Sequence, residues 1–154
     1  MMKVFESIFL DDLVSHLNYN KILTERQHGF RKARSTATNM IEFWDEITDL
    51  ADTSSPVSII YTDLRKAFDT VPHELLLLKL NHYGIRGNNF NWLKSYLKNR
   101  TQLVTIKDQS SEAIHVKSGV PQGGVLSGVL FSIYSPITHR REGYRSKAYK
   151  PIKT

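Results

Sequence analysis

The sequence contains no cysteine, which excludes disulfides and thiolate-held metals. No apolar run approaches the ~20 residues that span a bilayer, so no membrane partner is expected. The N-terminal stretch MMKVFESIFLDDLVSHL carries acids within its apolar residues and has no small-residue cleavage site, so it does not read as a signal peptide. Histidines are present but scattered: His16, His28, His73, His82, His115 and His139 form no H-E-x-x-H and no close pair. A nucleophile-elbow sequence for a Ser-His-Asp hydrolase is also missing, as is any internal repeat. Aspartate runs out early. The last one is Asp108, and beyond it the only acids are Glu112 and Glu142.

What is there suits one domain, or a piece of a larger one. The chain has 154 residues, 40% hydrophobic and 23% charged, as in ordinary globular proteins. The net charge of +6 is concentrated at one end. From residue 135 onward come Arg140, Arg141, Arg145, Lys147, Lys150 and Lys153 against Glu142 alone. This end reads as a basic tail, disordered or extended (135–154), following a folded region at 1–134. A basic tail alone is weak grounds for nucleic-acid binding.

Apolar spacing predicts a helix over 4–17, with Phe5, Ile8, Phe9, Leu13 and Leu17 inward and Glu6 off that face. A polar, basic loop follows. Ser35 or Thr36 then caps a second helix whose core positions are Met40, Trp44, Ile47 and Ala51. Pro56 ends that helix, and residues 57–62, VSIIYT, are short, β-branched and bounded by breakers, as in a buried strand. Pro72 opens a helix that Gly84 stops near Tyr83. A further helix over 89–98 offers Phe90, Leu93, Tyr96 and Leu97. TQLVTIK and AIHVK alternate around DQSSE, a hairpin with a loop of about five residues. The loop SGVPQGG leads into the apolar helix VLSGVLFSIY. Strands that cluster without βαβ alternation give an α+β class.

Asp63 closes the VSIIYT run and Asp69 follows six residues later, before Pro72. Asp63 could be a turn or capping residue. It could also be a rigid carboxylate at a strand end, open to a cleft, of the kind that holds a metal. Asp69 is placed to bond nearby backbone N–H groups, a structural role. Arg31, Lys32 and Arg34 read either as a basic surface loop or as a phosphate contact, for which arginine's planar fork is suited. The glycines of SGVPQGG permit close backbone approach, and Gln122 offers both donors and acceptors.

QHGFRKARST, YTDLRKAFDTVPH and SGVPQGGVLSGVLFSIY resemble, in order and spacing, conserved blocks of reverse transcriptases (RNA-directed DNA polymerases) of non-LTR, LINE- and jockey-like retrotransposons. The likeness covers about residues 3–134. It implies a partial right-hand polymerase fold, with fingers and part of the palm, and the partners RNA template, DNA primer and dNTPs. It also implies nucleotidyl transfer by two Mg²⁺ ions, which would lie about 3.5–4 Å apart. By resemblance Asp63 is catalytic and ligates metal, with the backbone carbonyl of Leu64 assisting. Phe68 lies under the incoming sugar, Arg31 and Arg34 meet triphosphate or template, and Gln122 and Gly123 lie along the nucleotide. Such proteins work inside the cell, in nucleus or cytoplasm.

The family's next block is an aromatic, a variable residue and an aspartate pair, and these residues do not contain it. The expectation is therefore a truncated reverse transcriptase that is inactive alone. The alternatives are a remnant that binds nucleic acid without chemistry, or an unfolded pseudogene product. Gly124 and Gly128 stand where Ser and Pro are commoner. Gly128 adds a glycine inside a predicted helix, at about 1 kcal/mol relative to alanine.

Overall fold

The computed structural model describes residues 2–24, 26–53, 57–61 and 63–135. The basic tail therefore lies outside the described residues, except for Ser135. Among the described residues there are five helices and four two-residue strands, in keeping with the α+β expectation. The helices are α1 (Met2–Tyr19), α2 (Thr36–Asp52), α3 (His73–His82), α4 (Gly87–Leu97) and α5 (Ser127–Tyr134). The strands β1 (Thr101–Gln102), β2 (Thr105–Ile106), β3 (Gln109–Ser110) and β4 (Ile114–His115) lie between α4 and α5.

The core is where α1, α3, α4 and α5 meet. Phe9, Leu13 and Leu17 of α1 are buried with Leu76, Leu77 and Leu80 of α3, Leu93 and Leu97 of α4, and Val129, Leu130 and Ile133 of α5. Each such side chain contributes roughly 1.5–3 kcal/mol when removed from water. Polar groups fix how the helices meet. His16 bonds through Nε2 to the Tyr83 carbonyl at 2.6 Å, so its proton sits on that nitrogen. Lys79 donates to the Tyr134 carbonyl at 2.6 Å, satisfying a C-terminal carbonyl of α5.

Local signals set several boundaries. Ser35 caps α2 in a reciprocal box with Thr38. Pro72 stands just before α3, where its missing N–H costs nothing. Gly84 takes φ +86, and Ile85 folds back onto the Leu80 carbonyl at 3.0 Å, which ends the helix.

Four expectations fail. Residues 57–61 form no strand and are exposed, Ile60 at 85% and Tyr61 at 79%. Backbone groups of a strand need a neighbouring strand, and none lies beside them among the described residues. No residue of α2 is buried, so Met40, Trp44, Ile47 and Ala51 are not core. The helix is held instead at its polar side, by Arg26–Glu46, His28–Glu42 and Arg34–Glu42. In α1, Phe5 and Ile8 are exposed while Glu6, assigned to the outer face, is buried. The hairpin turns tightly at Lys107–Asp108 rather than through DQSSE, because Gln109 and Ser110 already pair back onto Ile106 and Thr105. Its outer rungs pair Thr101 with His115 and Gln102 with Ile114, one residue out of register with the inner ones, so the returning strand carries a bulge.

Candidate nucleotide-binding site

Segment 68–72 lies antiparallel against 118–120. Val120 N donates to the Phe68 carbonyl at 2.9 Å, Gly119 N to the Val71 carbonyl at 2.8 Å, and Pro72 bridges Ser118. The approach is closer than a side chain permits. A Cβ on Gly119 would sit 2.9 Å from Asp69 Cα and from the carbonyl oxygens of Phe68 and Asp69, and its φ is +91. Glycine is required there. The Gly119 carbonyl takes two more donors, His73 Nε2 at 2.8 Å and Arg100 Nη2 at 2.6 Å.

The Gly-rich loop is then fixed at two further points. In its middle, Gln122 Nε2 donates to Asp69 Oδ1 at 2.8 Å. At its end, Val125 N donates to Glu6 Oε2 at 2.8 Å, and the Tyr96 hydroxyl reaches the same oxygen at 3.3 Å. Ser127 Oγ closes the turn onto the Pro121 carbonyl. Burial first, then the Glu6 charge, pushes the Tyr96 phenol up to about 12. Gly124 leaves room for this anchor, since a Cβ there would lie 2.5 Å from the Tyr96 oxygen. Glu6 was missed in the sequence because its partners lie far along the chain. An acid at a helical position flanked by apolar residues was the available signal.

Aromatic rings join the three motif segments. Phe30, from the basic loop, stands edge-on to Phe68 at 6.1 Å, and Phe68 stacks on Phe131 of α5 at 5.0 Å. Phe30 also covers Gly128, where a Cβ would fall 2.1 Å from its ring. The glycine inside α5 thus makes space for the basic loop.

The other candidates are placed as follows. Gln122 and Gly123 are exposed, and Gly123 takes φ +77. Arg31, next to Phe30, donates to the Thr24 carbonyl at 2.7 Å. Arg34 is drawn to Glu42 Oε1 at 2.5 Å and lies 3.4 Å from His28 Nε2. Hydrogen bonding from His28, and more weakly from Arg34, holds the Glu42 carboxyl below its usual range. Asp63 is exposed, and its Oδ1 accepts from Leu64 N at 2.9 Å. The Asp69 carboxylate bonds the distant Gln122 and not, as expected, adjacent backbone N–H groups. The nearby backbone bonds run through Lys66, whose carbonyl receives Asp69 N and Thr70 N at 3.0 and 3.1 Å.

Two divalent ions require several oxygen donors between them. Asp63 and the Leu64 carbonyl do not complete such a set, and among the described residues no group of three or more His, Asp or Glu could hold an ion. No helix among the described residues is long and apolar enough to cross a membrane.

The basic loop, the aspartate-bearing turn and the glycine-rich segment, which carry the resemblance, meet through Phe30, Phe68 and Phe131. Residues 1–139 match the family model for reverse transcriptase (RNA-dependent DNA polymerase), and the chain belongs to that family. It is 34% identical over 133 residues to the probable RNA-directed DNA polymerase from transposon X-element of Drosophila melanogaster, covering 86% of this chain and 14% of that protein. It is 28% identical over 141 residues to the probable RNA-directed DNA polymerase from transposon BS of the same organism, covering 88% of this chain and 15% of that protein. The RNA-directed DNA polymerase from mobile element jockey, also from Drosophila melanogaster, is 26% identical over 133 residues, covering 86% of this chain and 14% of that protein. The chain thus spans about one seventh of the length of these relatives. No solved structure matches it.

Proposed function

We propose that residues 1–134 are fingers and part of the palm of a right-hand RNA-directed DNA polymerase, and that they supply the nucleotide-facing side of its active site. The observation that carries this reading is the aromatic cluster of Phe30, Phe68 and Phe131, which brings the three motif segments together. In this reading Phe68 is the wall beneath the sugar, and Gln122 and Gly123 line the nucleotide. Arg31 meets the triphosphate. Its guanidinium is anchored on a neutral backbone carbonyl and keeps its charge for phosphate oxygens. Arg34, committed to Glu42, is the weaker phosphate contact. Asp63 is one carboxylate of a Mg²⁺ site whose other carboxylates lie outside these 154 residues. RNA template, DNA primer and dNTPs are the partners, inside the cell.

On this account the 154 residues alone bind a deoxynucleoside triphosphate but do not extend a primer. Equilibrium titration with dTTP and Mg²⁺ tests it. Gln122→Ala and Arg31→Ala each weaken binding, by about tenfold for a lost charge-assisted bond. Unsaturable binding, or affinity that neither substitution changes, contradicts the reading.

A second reading, binding of nucleic acid without chemistry, draws on the same Arg31 and on the exposed Lys32. A salt-dependent gel shift that survives Asp63→Ala but is lost in Arg31→Ala with residues 136–154 deleted favours it.

A further inference from the structure

Asp69 and Gln122 lie 53 residues apart, and both are exposed. Neither needs the other for burial, yet the carboxylate and the amide meet at 2.8 Å. The backbones that carry them are fixed independently. Gly119 N and Val120 N are bonded to the Val71 and Phe68 carbonyls, and Ser118 Oγ donates to the Asp69 carbonyl at 2.9 Å. The side-chain bond is therefore an addition to a junction that already holds.

Its chemistry has a direction. A side-chain amide can face a partner with its NH₂ or with its carbonyl, and the two choices present opposite groups to a ligand. A carboxylate only accepts, so Asp69 selects the orientation in which Gln122 turns its NH₂ inward. The carbonyl Oε1 is then left outward, as an acceptor for a donor on the ligand. Gln122 is exposed, and Gly123, at φ +77, follows immediately with open space where a Cβ would stand.

We propose that Asp69 is a positioning residue: it sets the rotamer and the amide face of Gln122, so that Gln122 meets the nucleotide through its carbonyl oxygen. This rests on the reading of Gln122 as a nucleotide contact. It assigns Asp69 a role that the local capping expectation did not include. In this reading Asp69 acts on the nucleotide through another side chain, whereas Asp63 is the proposed metal carboxylate.

The test uses the full chain, labelled with ¹⁵N, in wild-type, Asp69→Asn and Asp69→Ala forms, with Gln122→Ala identifying the Gln122 amide signal. The exposed Gln109 on the hairpin serves as the internal control. In the wild type the Gln122 NH₂ pair is displaced from the position of a free amide. Asp69→Asn, whose Oδ1 still accepts, keeps most of that displacement. Asp69→Ala collapses it, while the Gly119 and Val120 backbone signals stay in place. The same three proteins are titrated with dTTP and Mg²⁺. Asp69→Ala weakens binding by about tenfold, the value of one oriented hydrogen bond to a charged or polar ligand, and Asp69→Asn stays within about twofold of wild type.

A Gln122 amide at the free position in the wild type, or unchanged in Asp69→Ala, overturns the proposal. So does nucleotide binding that Asp69→Ala leaves intact or tightens, which would make the pair a latch and not a support. A wild-type chain that binds no nucleotide overturns the functional reading instead, and the amide signals still decide the pairing.

Discussion

The carboxylate of Glu6, on the first helix, accepts the backbone N–H of Val125, 119 residues further along the chain, at 2.8 Å. Glu6 is 5% exposed, so this is a buried acceptor holding the end of the Gly-rich loop against α1. Glu6→Ala leaves the Val125 N–H and the Tyr96 hydroxyl without that partner, at a cost of about 1–3 kcal/mol. Urea unfolding measures the loss. Glu6→Gln, which retains an acceptor oxygen, costs less.

The same carboxylate contributes, after burial, to a titration. Folding raises the Tyr96 phenol from 10.0 to about 12, so the folded chain holds that proton more tightly than the unfolded one. The stability it contributes is full below pH 10 and is lost as pH rises towards about 12. Glu6→Gln removes the second cause but not burial, the first. Phenolate absorbance should then show a midpoint lower than wild type yet still above that of a free tyrosine.

Gly119→Ala places a methyl group against backbone on three sides, at 2.9 Å from each, with φ +91. Backbone cannot swing away as a side chain can, so the two motif segments must part. A loss of about 1–3 kcal/mol is expected, read by thermal or urea unfolding. Nucleotide affinity falls with it.

Gly128→Ala meets something softer, the ring of Phe30, which is 58% exposed and can rotate out. Alone, the substitution displaces Phe30 from Phe68 and destabilises the chain. In a Phe30→Ala background the obstruction is gone, and the same change gains up to about 1 kcal/mol of helix propensity. A double-mutant cycle by urea unfolding should show this reversal of sign.

What could be read from the sequence was whatever is decided within a few residues. The Ser35 cap, the Pro72 start, the Gly84 stop and the three motif segments were all legible, since each is a local choice of backbone. Residues 57–61 were not, because β-branched composition shows only that a stretch can pair, and pairing needs a neighbour. The same holds for α2: its apolar spacing shows which side would bury, not that anything covers it. Glu6 and the Asp69–Gln122 bond were hidden for the opposite reason, being contacts that only the completed fold brings together. At the candidate site the residue types were visible, while the partner of each was not.

The central claim is that these residues form the nucleotide-facing part of a polymerase site and hold one of its metal carboxylates. A paired assay on the purified chain tests it most directly, combining dTTP binding in Mg²⁺ with extension of a DNA primer on an RNA template. The account predicts saturable binding, weakened by Gln122→Ala, with no primer extension. Processive extension by the 154 residues, or binding that is indifferent to Gln122, would contradict it.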